Sequence, residues 1–254
     1  MTTSFTETWL SVRGLTKTYG DTPVFAALDL SLHQGQTLAI IGASGCGKTT
    51  LLRTLAGLVP ATSGCVQIDG RNVTDATPPA RGAVYLYQEP LLFPHLDVFE
   101  NIAFGLRLRE LPRALINAEV ERMLVALELT QLARRRPESL SGGQRQRVAF
   151  GRALAIKPAL LLLDEPFSHL DPQARATMQQ LCKRLTRQHH SSVVFVTHDL
   201  KEALSMGDRF GRLSQGHYHA YHDRAAFCAD AASGVQAELA FWRDGATGNP
   251  PRES

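Results

Sequence analysis

Thr37-Leu38-Ala39-Ile40-Ile41-Gly42-Ala43-Ser44-Gly45-Cys46-Gly47-Lys48-Thr49 decides the fold of this chain. Thr37 to Ile41 is a short apolar run, predicted to be a strand. Gly42 to Thr49 then fits G-x-x-x-x-G-K-[ST], and Lys48 to Leu58 reads as a helix. A strand that runs through glycines into a helix makes an anion cradle. The glycines let backbone N–H groups wrap phosphates, and the helix N-terminus is positive. Lys48 is placed to reach the β- and γ-phosphates of a nucleotide, and the Thr49 hydroxyl to bind Mg2+. The predicted contact set is Gly42, Ala43, Ser44, Gly45, Cys46, Gly47, Lys48, Thr49 and Thr50.

Further strands flank this unit. Leu10 to Tyr19 and Val24 to Leu32 are predicted strands joined by a turn at Gly20-Asp21-Thr22-Pro23. Cys65 to Ile68 ends at Asp69-Gly70, a hairpin-type turn. Ala83 to Tyr87 is another strand. Leu160 to Leu163 and Ser192 to Val196 are short, unbroken apolar runs, the pattern of strands buried on both faces. Two more strands are predicted near Phe210 to Leu213 and His217 to Tyr221. Strands alternating with helices imply an α/β fold with a mostly parallel sheet. From Asp97 to Leu132 the pattern is helical, with Pro112 opening one helix, and Asp199 to Met206 is a short helix. Residues 1–88 and 156–222 therefore read as the α/β core and 89–155 as an inserted α-helical subdomain. Residues 223–244 read as a short helical extension with a helix from Val235 to Trp242. The polar, Pro-rich tail 245–254 is predicted to be disordered.

Chemistry gathers where the buried strands end. Leu160 to Leu163 delivers Asp164 and Glu165 to the carboxyl edge of the sheet, where ligands bind in open α/β folds. Asp164 is placed to hold Mg2+ and Glu165 to polarise an attacking water as general base. The strand at Val193 to Thr197 delivers His198 to the same edge, within reach of a γ-phosphate or that water. Gln88 ends the strand at Ala83 to Tyr87, and its amide suits Mg2+ ligation or water positioning. Tyr19, upstream of the glycine loop, offers a ring to stack on adenine.

Leu140-Ser141-Gly142-Gly143-Gln144 is a second anion site of another kind. Ser141 is an N-cap residue with Gln144 three positions on, the spacing of a capping box. A helix through Arg145 to Ala155 is expected to follow. Its first turn carries two glycines with no side chain to block an approach, and Gln144 is neutral where Glu would repel phosphate.

Composition closes off several classes. The chain has 254 residues, 44% of them hydrophobic, enough for one large domain or one domain with an inserted subdomain. A net charge of +3, with no basic run longer than Arg134-Arg135-Arg136, argues against a nucleic-acid partner. Cys46, Cys65, Cys182 and Cys228 show no zinc-type or disulfide spacing and are expected to be reduced thiols. No secretory pattern opens the chain and no apolar run approaches a membrane span, so a membrane role has to come through a partner. His217, His219 and His222 share a strand with no further ligand but Asp223; an exposed strand is the simpler reading than a metal site.

Taken in order, these residues resemble the ATP-binding subunit of ABC transporters, from about Leu10 to Tyr221. Gly42 to Thr49 looks like the Walker A motif, Gln88 the Q-loop, and Leu140 to Gln144 the family signature. Leu160 to Glu165 looks like Walker B with its catalytic Glu, Ser168-His169-Leu170-Asp171 the D-loop, and His198 the switch histidine. The resemblance implies a P-loop NTPase (RecA-like) core, with an N-terminal antiparallel β part and the helical insertion. It also implies ATP and Mg2+ as cofactors and a head-to-tail homodimer. In that dimer Ser141, Gly142, Gly143 and Gln144 contact the nucleotide of the second copy. ATP-driven closure would power permease subunits from the cytoplasmic face of the membrane.

Pro78-Pro79-Ala80-Arg81, Leu92-Phe93-Pro94-His95-Leu96 and Phe99-Glu100-Asn101-Ile102 resemble bacterial importers of the polyamine, iron(III), thiamine and sulfate type, which work with an extracytoplasmic solute-binding protein. His169 departs from the small residue usual there. With 32 residues after His222, no C-terminal regulatory domain is expected. The alternative is a non-transport ABC ATPase acting on nucleic acid or the ribosome. DNA-clamp types need heptad arms that the 51 residues between Gln88 and Leu140 do not supply, and translation-factor types carry two ATPase units.

Overall fold

A computed structural model describes residues 8–238 and 240. Among them are ten strands and eight α-helices, besides three 3-10 turns and a helical run at 235–238 and 240. The strands are β1 (Leu10–Tyr19), β2 (Thr22–Leu32), β3 (Thr37–Ile41), β4 (Ser63–Ile68), β5 (Arg71–Asn72), β6 (Ala83–Leu86), β7 (Leu160–Asp164), β8 (Ser192–Thr197), β9 (Arg209–Ser214) and β10 (His217–Tyr221). The helices are α1 (Lys48–Ala56), α2 (Pro78–Arg81), α3 (Val98–Arg107), α4 (Arg113–Ala126), α5 (Gly142–Ala155), α6 (Pro172–Gln188), α7 (Leu200–Met206) and α8 (Arg224–Ala229).

Two sheets organise these elements. One is antiparallel, in the order β2-β1-β4-β5; the other runs β10-β9-β3-β8-β7-β6. In the second, every pairing is parallel except β9 with the edge strand β10. This is the expected α/β architecture with an N-terminal antiparallel part. Alternation along the central strands explains their unbroken apolar runs. Leu38, Ile40, Leu160, Leu162, Val194 and Val196 pack on the side of α1 and the antiparallel sheet. Ala39, Ile41, Leu161, Leu163, Val193 and Phe195 face the opposite core, shared with the helices from α3 onward. A strand buried on both faces has no polar positions to spend.

Several boundaries move from the sequence expectation. β2 begins at Thr22, so the hairpin turn is the pair Gly20-Asp21. The stretch from Asp97 to Leu132 splits into α3, α4 and a 3-10 turn. α1 stops at Ala56, not Leu58, because Gly57 takes a left-handed φ of 76° and closes the helix. A Cβ on Gly57 would come 2.6 Å from Arg81 Nε, so glycine is needed twice over. The helix α6 was not anticipated. Asp171 caps it through bonds from Gln173 N and Ala174 N, and Met178, Leu181, Cys182 and Leu185 line its buried face. In the extension α8 is followed by helical residues 235–238 and 240. The end of the expected helix at Trp242, and the tail 245–254, lie outside the described residues.

Arg81 anchors the phosphate-loop helix from behind. Its guanidinium donates to the carbonyls of Thr54 (2.7 Å), Leu55 (2.9 Å), Thr74 (2.6 Å) and Ala76 (3.1 Å). Two of these, Thr54 O and Leu55 O, are carbonyls of the last turn of α1, where a cation is also favoured by the helix dipole, and Thr54 O accepts from Gly57 N as well. Burial lowers the Arg81 pKa without discharging it. Arg81→Met is expected to lower unfolding stability by about 2–4 kcal/mol, read from the urea midpoint. Arg81→Lys should recover only part, because an ammonium cannot fork across four carbonyls. A midpoint unchanged in both variants would show that the anchor is dispensable.

Candidate functional site

β3, β6, β7 and β8 run parallel, so their carboxyl ends deliver residues to one edge of the sheet. Opposing pairs Ile41↔Thr197 and Asp164↔Val196 set the register there. The glycine loop leaves β3 and enters α1 at Gly47, whose φ is 103°. No side chain caps that helix and no acidic residue lies in its first turn, so its leading N–H groups face the loop uncancelled. Gly42 passes so close to β9 that a Cβ there would run into the Leu213 carbonyl.

Lys48 is 5% exposed. Its Nζ donates to Gly42 O (2.6 Å) and Ala43 O (3.0 Å) and lies 3.7 Å from Glu165 Oε1. Thr49 Oγ1 donates to Asp164 Oδ1 at 3.0 Å, and the Tyr85 hydroxyl to Asp164 Oδ2 at 2.7 Å. Each carboxylate oxygen of the buried Asp164 is thus oriented by a different hydroxyl. Burial, and then the bonded Asp164, push the Tyr85 phenol pKa up, which keeps it a donor. Glu165 takes a left-handed φ of 44°, a strained conformation for a side-chain-bearing residue. Its N–H donates to Val196 O, and its carbonyl accepts from Ser168 N and Oγ, which holds the turn in place. The turned carboxylate sits between Lys48 and His198, whose Nδ1 is 3.0 Å from Glu165 Oε2.

The structure therefore brings Lys48, Thr49, Asp164, Glu165 and His198 into one constellation. Gln88 is not joined to it: beyond the end of β6 it is exposed and makes no hydrogen bond among the described residues. Tyr19 ends β1 and is 55% exposed, with the Lys17 ammonium 4.8 Å from its ring centre. The signature turn is a separate feature. Ser141 N donates to Gln144 Oε1 (2.9 Å) and Gln144 N to Ser141 Oγ (3.3 Å), completing the capping box of α5. A Cβ on Gly142 would meet nothing within 4 Å, so that face is open. Tyr85 was missed in the sequence; its one signal was a hydroxyl-bearing side chain in an otherwise apolar strand. His169 is exposed. His222 pairs with Asp223 at 3.2 Å, and among the described residues no group of three or more His, Cys, Asp or Glu could hold a metal ion. No helix among them is long and apolar enough to cross a membrane.

Residues 25–168 match the ABC transporter family. The chain belongs to that family. It is 45% identical over 208 residues to an sn-glycerol-3-phosphate import ATP-binding protein of Bordetella avium, covering 82% of this chain and 58% of that protein. It is 44% identical over 207 residues to a spermidine/putrescine import ATP-binding protein of Aggregatibacter actinomycetemcomitans, covering 82% and 56%. It is also 44% identical over 211 residues to a sulfate/thiosulfate import ATP-binding protein of Methylococcus capsulatus, covering 82% and 61%. The chain thus spans less than two thirds of the length of each of these relatives in the ABC transporter family.

Cys46 sits inside the glycine loop with its Sγ against Gly42, and it is a free, half-buried thiol. Phosphates seated in the loop would cover it. Labelling of Cys46 by N-ethylmaleimide, followed by peptide mass spectrometry, should slow by about tenfold when Mg-ATP is bound at about ten times its Kd. An unaltered labelling rate would place the nucleotide elsewhere.

Proposed function

We propose that this chain is the ATP-binding and ATP-hydrolysing subunit of an importer, working as a head-to-tail homodimer on the cytoplasmic face of the membrane. The observation that carries the reading is the Lys48–Glu165–His198 constellation beside the Thr49–Asp164 pair. Lys48 holds the β- and γ-phosphates, and Glu165 takes a proton from the attacking water. His198 holds the Glu165 carboxylate at a bonded distance and reaches toward the γ-phosphate. Oxygen donors from Thr49 and Asp164 fit a hard divalent cation, so they are the residues that would hold Mg2+, with Gln88 as a further amide ligand. When bound, Mg2+ supplies charge neutralisation of the β- and γ-phosphate oxygens. Tyr85 fixes the Asp164 carboxylate, and Tyr19 stacks on adenine.

The open first turn of α5 supports a second role. Gly142 and Gly143 leave an anion site that has no hydrogen bond to the phosphate loop of its own chain among the described residues, which suits the nucleotide of a second copy. Residues 89–155 are proposed to act as the helical arm that meets the permease. A cavity of about 220 Å3 beside β6 is lined by Phe93, Phe104 and Arg152. Leu91 and Leu108 lie exposed on the same helical part. The three relatives name three different solutes, so the solute does not carry over; a solute-binding protein would supply it to the permease.

Two variants test the site. Glu165→Gln keeps the shape but removes the base, so ATP hydrolysis should fall by about 10²–10⁴-fold while ATP affinity is retained and a dimer accumulates in size-exclusion chromatography. Full turnover in that variant would overturn Glu165 as the base. Tyr85→Phe frees one Asp164 oxygen; the Mg2+ concentration for half-maximal hydrolysis should rise about threefold to tenfold, with Kd for metal-free ATP unchanged. An unchanged Mg2+ requirement would remove Tyr85 from the site.

A further inference from the structure

Two turns flank the Glu165–His198 pair, and one guanidinium ties them together. Arg175 lies in the first turn of α6, four residues after its cap Asp171. Its NH1 donates to Asp199 Oδ2 at 2.9 Å and its NH2 to the Leu170 carbonyl at 3.2 Å. Its Nε is buried without a hydrogen bond, 3.6 Å from Glu202 Oε1. Asp199 directly follows His198, and Leu170 belongs to the turn that follows Glu165.

The groups that Arg175 holds are themselves fixed. Asp199 Oδ1 accepts from Lys201 N (2.8 Å) and Glu202 N (3.1 Å), capping α7. The Thr197 hydroxyl donates to Glu202 Oε2 at 2.7 Å and accepts from Asp199 N at 3.0 Å. Burial, with neighbouring Asp199, holds the Glu202 carboxyl above the usual carboxylate range, while the Thr197 bond and Arg175 act against that shift. His198 is thus braced on both sides, by Thr197 and by Asp199, while its own side chain is 58% exposed. Leu170 in turn lies under the signature turn: its Cδ2 would be 3.5 Å from a Cβ on Gly143.

We infer that Arg175 is a positioning residue for ATP hydrolysis, fixing the His198 backbone relative to the turn after Glu165 so that imidazole and carboxylate meet at bonding distance. This rests on the reading of Glu165 and His198 as the hydrolytic pair. A planar fork suits the task, because one rigid group reaches a carbonyl on one turn and two carboxylates on the other. A charge alone would hold Asp199 but not the angle between the turns.

The test uses the purified full-length chain. kcat and KM for ATP are measured for Arg175→Lys and Arg175→Gln, alone and combined with His198→Ala, with binding of a fluorescent ATP analogue and thermal midpoints followed in parallel. Arg175→Gln should lower kcat about tenfold with KM and analogue Kd within about twofold, since misplacement of a reacting group costs rate before affinity. Arg175→Lys should recover part of kcat. In the His198→Ala background, Arg175→Gln should lower kcat no further, because the effect travels through His198. A lowered thermal midpoint with kcat intact, or a full tenfold loss persisting without His198, would overturn the inference. If His198→Ala and Glu165→Gln both keep wild-type kcat, the hydrolytic pair is misassigned; that outcome is separate from any effect of Arg175.

Discussion

The parallel register of the central sheet is the constraint on which the rest depends. Ile41 stands opposite Thr197, and Asp164 opposite Val196, so three strands end within a residue or two of one another. The glycine loop, the Asp164–Glu165 pair and His198 therefore emerge on one edge without any element reaching for them. A slip of one residue in β7 would exchange the two faces of the strand. Leu161 and Leu163 would leave one core for the other, and the carboxylates would turn with them. Double-sided burial is thus what makes the edge accurate: the packing that stabilises the sheet also forbids the registers that would scatter the site.

Once the edge is set, the local electrostatics follow from burial. Lys48 and Asp164 are nearly inaccessible, and neither is left alone. Lys48 rests on two loop carbonyls and approaches Glu165, while Asp164 accepts from two hydroxyls. Partners of this kind are what permit charge in a low-dielectric place, since an uncompensated buried charge would neutralise or unfold its surroundings. Glu165 differs. It sits on a left-handed residue, a conformation held by Val196 and Ser168, so that its carboxylate faces sideways toward His198 and Lys48. Strain located at a carboxylate, beside a glycine loop and an uncapped helix start, is the pattern of a site shaped for a reaction more than for stability.

Much of this was legible in the sequence, and the reasons differ by element. Central strands announce themselves because burial on both faces leaves only apolar residues, and the glycine loop because its conformations exclude most side chains. The capping box at Ser141 and Gln144 is local chemistry within four residues, so its geometry followed from spacing alone. α6 was passed over because its signal is spread over a 3.6-residue period, with Arg, Gln and Lys between Met178, Leu181, Cys182 and Leu185. Tyr85 and Arg175 were invisible for a different reason. Each acts on a residue distant in the chain, Tyr85 on Asp164 and Arg175 on Asp199, and no pattern within one strand or one helix encodes a partner chosen by the fold. Gln88 is the converse case: its place at a strand end was readable, yet its amide bonds to nothing among the described residues.

The signature turn and the turn after Glu165 are the two ends of one packed unit. α5 begins at the open glycines and runs back under the site. Gln146 Nε2 donates to Pro166 O at 2.8 Å, one residue beyond Glu165. Phe150 stacks on Phe167 with ring centres 5.6 Å apart. Leu170, at the far end of the same turn, underlies Gly143. The buried residues of this turn, Pro166, Phe167 and Leu170, are therefore each packed or bonded against α5. A shift of α5 would strain these contacts and reach the turn after Glu165, because close-packed interiors have few voids to absorb it. The open first turn of α5 and the turn after Glu165 are thus parts of one packed piece.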